Sequence, residues 1–379
     1  MKRKTDVVVV GGGYFGTSIA YELSKRNVKA VLIEKTELGS GASGANFGNI
    51  QVQDAEPGIS LELSLQSFRL WANMERLLGV DLEYRQMGSL IAAASPEEME
   101  DLHNMLRIKQ KQGLRAKLLK AQELNSVEPF LSTASIAGGQ LNIEASINPF
   151  KLMFGLAKRA KEMGTVIMEH TQVEDFIVEQ GVVKGVTTSK GEIISELVIL
   201  TVGAWTRQLC YKLGMDIPVE YVYAEAFVTE ALPPCLNNYF SLAAFFDEAH
   251  GKKSFTTSLC CKQTIAGNLL VGETSYPGDV QVVEAKLKTC SDAHMHDIAR
   301  QLKKFFPKLL NSTVIRSWRT ASPFTKSYRP VFGFAGPEGL FIAAGFKSSV
   351  IMIPIISQIA ADLVTKGTAN YDLTGYSII

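Results

Sequence analysis

Apolar and polar positions follow two periods along this chain, and the first fifty residues show both. Residues 6–10 end in an unbroken apolar run, Val7-Val8-Val9-Val10, the pattern of a parallel strand covered on both faces. In residues 17–26 the apolar positions Ile19, Ala20 and Leu23 fall at helical spacing, and residues 29–33 form a second apolar run that stops at Glu34. The pattern predicts a β-α-β unit. Farther along, residues 59–78 and 96–112 carry a helical period, the second opening on Pro96-Glu97-Glu98, an acidic first turn that suits the helix dipole. Residues 217–229 alternate with a period of two, and residues 254–273 hold strand-like runs around Gly267-Asn268, a hairpin-like turn. A multistranded antiparallel sheet follows from these, and residues 291–306 read as a helix.

Composition narrows the function classes. The 379 residues are 46% hydrophobic and 20% charged, enough for a large core and unlike a disordered or fibrous chain. Lys+Arg 39 against Asp+Glu 38 leaves +1, so no global field invites nucleic acid or an anionic membrane. Five cysteines without a C-x-x-C pair argue against a disulfide framework and a zinc site, and point to a reducing, cytoplasmic setting. His294 and His296, two apart on a predicted helix, do not share a face and are expected at the surface rather than on a metal. Arg107, Lys109 and Lys111 are expected on a solvated helix face. The apolar run at the start is too short for a signal peptide. Residues 340–364, interrupted by Lys347 and Asp362 and holding Pro354, read as a buried loop and helix rather than a membrane span.

The chemistry begins at the first turn. Gly11, Gly13 and Gly16 stand as G-x-G-x-x-G between strand and helix: one for a tight turn, one for close approach to a pyrophosphate, one for helix–strand packing. The helix N-terminus then offers N–H groups to phosphate. Glu34 closes the second strand, where a carboxylate accepts bonds from ribose hydroxyls and disfavours a 2′-phosphate. Residues 39–48, Gly-Ser-Gly-Ala-Ser-Gly-Ala-Asn-Phe-Gly, allow close approach to a second phosphate and a planar ring. That loop favours FAD over NAD.

At this point the chain resembles the FAD-dependent oxidoreductases of the D-amino-acid oxidase, glycine oxidase and sarcosine oxidase superfamily. Besides the fingerprint, Ile147-Asn148-Pro149 resembles the family's "D-P" helix start, His170-Thr171-Gln172-Val173 its adenine-contacting segment, and residues 196–205 (ELVILTVGAW) its strand ending in A-G-A-W. Residues 316–346 resemble its pattern R-x-W-x-x-x-x-P-x-T-x-x-x-x-P-x-x-G followed by G-L-x-x-A-x-G. Within the superfamily the chain looks most like the β-type subunits of dye-linked proline dehydrogenase, opine oxidase and hydrogen cyanide synthase.

The resemblance implies an α/β fold with an α+β substrate layer: a Rossmann-like FAD-binding domain from residues 1–88, 148–213 and 316–379, interleaved with an antiparallel-sheet substrate domain from 89–147 and 214–315. Cofactor contacts are expected at Gly11, Gly13, Tyr14, Phe15 and Gly16, at Glu34 and Lys35, and at Ser40, Ser43, Asn46 and Gly48. Further contacts are expected at Val173, Gly203, Trp205 and Arg316, and in the loop Gly345-Phe346-Lys347-Ser348-Ser349 before the last helix. Relatives commonly have a glycine-rich form of that loop, so Lys347 is a departure and a candidate counter-charge for anionic reduced flavin.

An amino-acid carboxylate calls for an Arg fork, and of Arg316, Arg319 and Arg329 the last is the first choice, beside Tyr328 and Pro330. Tyr221 and Tyr223 could close over a substrate. Cys210, Cys235, Cys260, Cys261 and Cys290 match no flavin-attachment motif, so FAD is expected to be non-covalent. The expected reaction is oxidation of a small amine or amino acid, such as proline, hydroxyproline, sarcosine, glycine or a D-amino acid. A partner redox subunit is a further expectation, and a chain serving mainly electron relay or assembly is the alternative.

Overall fold

The computed structural model describes residues 2–243, 256–279, 283, 289–309, 311–347 and 349–377. The strand Val7–Val10 is buried along its whole length, as an all-valine strand between two layers must be. It lies at the centre of a six-stranded sheet ordered Val331–Phe334, Leu340–Ala344, Leu197–Leu200, Val7–Val10, Ala30–Ile33 and Val166–Met168. All pairs are parallel except the first, where Val331–Phe334 runs antiparallel to its neighbour. The helix Tyr14–Ser24 crosses over between the first two parallel strands, completing the β-α-β unit.

The nine-stranded sheet is the second large layer. Its order is Val314–Phe324, Glu220–Ala231, Asn268–Pro277, Thr256–Gln263, Tyr239–Leu242, Arg85–Ala93, Gly138–Ser146 and Asn49–Ile50, with Ala116–Lys120 also on Gly138–Ser146. Every pair is antiparallel but one, Tyr239–Leu242 beside Arg85–Ala93. The strand Val314–Phe324 belongs to this sheet, so the chain re-enters the dinucleotide layer only after it. The expected hairpin is present, with Asn268 already the first residue of its second strand. A four-stranded sheet, Lys2–Lys4, Gly191–Ile194, Val182–Thr188 and Val173–Glu179, covers one side of the six-stranded sheet.

Local chemistry explains the helix starts. Asn148 caps the helix Pro149–Glu162 by accepting from the N–H groups of Phe150 (3.1 Å) and Lys151 (3.3 Å), so Asn does here what an Asp would do. Ser95 caps Pro96–Lys111 through the Glu98 N–H at 3.2 Å. The predicted helix over 59–78 is two, Ile59–Trp71 and Met74–Leu78.

The helix Ser349–Lys366 has the length and apolar composition of a membrane span, yet it lies in the core between Tyr14–Ser24 and Ile59–Trp71. One turn before Pro354, the Ile351 carbonyl accepts from the Ser67 hydroxyl (2.5 Å) and the Trp71 indole (3.2 Å), side-chain donors fixing a helix that proline loosens.

Two surface expectations are corrected. Lys109 points inward, 9% exposed, and its ammonium donates to the Gln53 carbonyl, because the segment after Ile50 crosses the inner face of its helix. His294 is half-buried with Nδ1 2.9 Å from Glu225 Oε2, its ring 5.5 Å from that of Tyr276; His296 is exposed as expected.

Candidate active site

Between the six-stranded sheet and the concave face of the nine-stranded sheet runs a cleft of about 1670 Å³. One end is the first turn. Gly11 sits at φ +107°, and Thr201 closes over it, its hydroxyl donating to the Val10 (2.8 Å) or Gly11 (3.0 Å) carbonyl. A Cβ on Gly16 would lie 1.7 Å from the Gly11 carbonyl oxygen, so helix and strand approach as only glycine permits. The N-cap residue of the helix Tyr14–Ser24, Gly13, has no side chain to cap it. Its first N–H, on Tyr14, donates to Ser43 Oγ at 3.0 Å and brings the small-residue loop across the turn.

Glu34 stands where the second strand ends, accepting from the N–H of Gly12 (2.7 Å) on one oxygen and from Thr36 (2.9 Å) on the other. Lys35 beside it lies 3.3 Å from the Trp205 ring centre, and burial pulls its ammonium down to about 8 despite the nearby Glu34 charge. Val173 and Gly203 line the same end, and exposed Ser40 lies at its edge.

The small-residue loop is clasped from several sides. Asn46 Oδ1 accepts from the Tyr14 hydroxyl (3.1 Å) and the Gly48 N–H (2.6 Å). The Trp318 indole donates to the Ala45 carbonyl at 2.9 Å, and buried Lys262 donates to the Phe47 carbonyl at 2.5 Å. Burial, with Arg85 nearby, lowers Lys262 to about 7. Gly48 itself packs on Ile147, where a Cβ would meet the carbonyl oxygen at 2.2 Å, and does not line the cleft; nor does Gly16.

At the opposite wall Phe346 packs on Phe15, ring centres 4.2 Å apart, and both line the cleft with Gly345, Lys347 and Ser349. Ser348 lies outside the described residues. Lys347 is committed elsewhere as well: its ammonium is 2.6 Å from Glu56 Oε1 and 4.5 Å from the Tyr328 ring centre. Exposed Arg316 lies at the mouth.

Three expected substrate residues lie elsewhere. Arg329 is exposed, absent from the cleft lining, and its guanidinium donates to the Ser377 carbonyl; the turn before Pro330 aims it at the end of the chain. In the strand Glu220–Ala231, Ala224, Ala226 and Val228 line the cleft, and Tyr223 does not. The alternation of the pleat places Tyr223 under Arg319, 4.4 Å from guanidinium carbon to ring centre, and Tyr221 donates to the Asp279 carbonyl at 2.9 Å. Arg319 also donates to the Tyr276 hydroxyl at 3.3 Å.

Sequence reasoning missed the inner wall: Asn49, Gln51, Asp54, Tyr239, Cys260, Lys262, Glu273 and Thr320. A charged residue interrupting an apolar strand, as Lys262 and Glu273 do, was the available signal. Asn49 Oδ1, Gln51 Nε2 and Thr320 Oγ1 are buried without a partner among the described residues. An acceptor, a donor and a hydroxyl left open along one cleft match the edge of an isoalloxazine, which presents N–H and C=O groups, and the glycine turn matches a pyrophosphate. The residues therefore fit FAD. No His/Cys/Asp/Glu group able to hold a metal occurs among the described residues.

Residues 6–363 match the family model described as DAO, FAD dependent oxidoreductase. Glycine oxidase of Geobacillus kaustophilus is 27% identical over 100% of this chain and 97% of its own length. Sarcosine oxidase subunit beta of Rhodobacter capsulatus is 25% identical, with 97% of this chain and 86% of that protein covered. Among solved structures, L-proline dehydrogenase from P. horikoshii superposes with a TM-score of 0.87 at 25% identity, covering 100% of this chain and 97% of that one.

Proposed function

Because the chain belongs to the family of FAD dependent oxidoreductases, we propose that it oxidises a small amine or amino acid at the carbon next to nitrogen, with glycine, sarcosine and proline as first substrates to test. The observation that carries this reading is the single cleft joining the glycine turn and Glu34 to the polar concave face of the antiparallel sheet. Bound FAD would supply the two-electron acceptor, taking a hydride from the substrate α-carbon at flavin N5.

The chain's own residues bind and position. The Gly11–Gly16 turn and the helix N-terminus would hold the pyrophosphate, and Glu34 the ribose. Asn49, Gln51 and Thr320 would offer an acceptor, a donor and a hydroxyl to the ring's polar edge. The Phe15–Phe346 pair shields the cleft wall from water. Lys347, paired with Glu56, would bring positive charge to the loop before the last helix.

A partner redox subunit belongs to the proposal because relatives are named as a subunit beta. Five unpaired, buried cysteines support a cytoplasmic setting.

The test is to purify the chain, identify FAD by its visible spectrum after denaturation, and follow anaerobic bleaching with glycine, sarcosine, L- and D-proline, hydroxyproline and a set of D-amino acids. Bleaching by one of them is expected, and the rate of recovery in air separates oxidase from dehydrogenase. A yellow protein that no amine bleaches would overturn stand-alone amine oxidation in favour of a relay or assembly subunit.

A further inference from the structure

Glu273 differs from the other carboxylates of the cleft and from its lysines Lys262 and Lys347. Glu34 is bonded to Gly12 and Thr36, Lys262 to the Phe47 carbonyl, Lys347 to Glu56, and Glu83 to Lys151. The Glu273 carboxyl lines the cleft with no hydrogen bond or ion pair among the described residues. Its neighbour Gly272 is wedged where a Cβ would lie 3.3 Å from Cys260 Sγ and 3.4 Å from the Phe47 ring, so Glu273 is held beside the small-residue loop.

The titratable groups around it do not compensate its charge. Cys260 on the adjacent strand and Tyr239 on the strand beyond it lie near Glu273, and burial raises both well above their ordinary values, so both are neutral. Asp54 lies near Tyr239, and Lys262, two residues from Cys260, is taken by Phe47. Glu273 touches the open interior of the cleft but is enclosed by protein, and this enclosure pushes its carboxyl up to about 7. An enclosed carboxylate without a partner is what a cationic ligand would complete.

Resting on the amine-oxidation reading above, we propose that Glu273 receives the amino group of the substrate, binding it as the ammonium ion and taking one proton from it. In this step the ammonium N–H bond breaks, its electron pair stays on nitrogen, and an O–H bond forms on Glu273; no oxidation occurs. The bound amine must be in this neutral form before the hydride leaves, because loss of a hydride from the α-carbon requires the nitrogen lone pair to take up the positive charge. Enclosure lowers an ammonium's pKa as it raises a carboxyl's, bringing donor and acceptor together.

The test uses the FAD-loaded chain and its Glu273→Gln and Glu273→Asp forms, with FAD content as the check on folding. Propylammonium and propionate are titrated separately into the oxidised proteins at pH 8.5, and binding is read from the visible flavin spectrum. Glu273→Gln is expected to bind propylammonium at least tenfold more weakly and propionate no more weakly, with Glu273→Asp restoring part of the loss. Equal propylammonium affinity in wild type and Glu273→Gln overturns the proposal. With any amine that bleaches the wild type, the bleaching rate is expected to fall as pH drops through about 7, and Glu273→Gln to be slower and without that limb. A limb retained in Glu273→Gln overturns the base role. If no amine bleaches the wild type, amine oxidation fails, and the propylammonium titration still decides whether Glu273 is a cation site.

Discussion

The ammonium of Lys262 donates to the carbonyl of Phe47 at 2.5 Å, tying the concave sheet to the small-residue loop across 215 positions of sequence. A buried lysine that keeps a backbone carbonyl in place fixes the small-residue loop along the cleft.

Lys262→Met is therefore expected to weaken FAD binding by about tenfold, the order of one buried hydrogen bond from a charged group. Equilibrium dialysis of FAD checks this. The stability effect has a defined sign. With its folded pKa lowered to about 7 from 10.5, Lys262 contributes stability that is present above 10.5 and lost as pH falls through 7. The melting-temperature difference between Lys262→Met and wild type should move in the variant's favour as pH falls from 10 to 7.

Glu144 works in the opposite sense. Its Oε1 accepts from the N–H groups of Val52 (2.7 Å) and Gln53 (2.9 Å), and burial, helped by Asp54, raises the carboxyl to about 8. A raised folded pKa contributes stability that is full below the unfolded value and lost as pH rises through 8. Glu144→Gln should flatten that decline between pH 5 and 8.5, read as melting temperature against pH, by roughly 1–3 kcal/mol.

Gly16→Ala places a Cβ 1.7 Å from the Gly11 carbonyl oxygen. Helix and strand must separate, so a loss of about 2–4 kcal/mol and a colourless product are expected. Urea unfolding and the absorbance ratio of flavin to protein measure both.

Arg329→Ala should leave the substrate KM within twofold of wild type, because the guanidinium is spent on Ser377. A small stability loss, about 0.5–1 kcal/mol, is expected from releasing that tether. A KM raised tenfold or more would show that the side chain reaches the substrate.

Much of the dinucleotide layer was legible because its rules are local and steric. A run of four valines has nowhere to go but between two covered faces, and a turn bonded under Thr201 with positive φ at Gly11 specifies glycine. Asn148 was legible for the same reason, since a cap is decided within three residues. The misread residues depend on partners far along the chain: Lys109 on a carbonyl 56 positions away, His294 on a carboxylate 69 positions away. Arg329 was misplaced because nearness to a proline turn does not say which way a side chain leaves it. Pleat alternation alone would have put Tyr223 behind the cleft wall, but only once Ala224 and Ala226 were known to face it.

The core position of the helix Ser349–Lys366 also orders events during synthesis. The strands Val7–Val10 and Ala30–Ile33 leave the ribosome early, but Leu197–Leu200 and Leu340–Ala344 complete their sheet only much later. The helix that seals Tyr14–Ser24 against Ile59–Trp71 comes last of these. For most of translation the nascent chain must carry an open apolar seam, so chaperone occupancy should persist until residues 349–366 emerge.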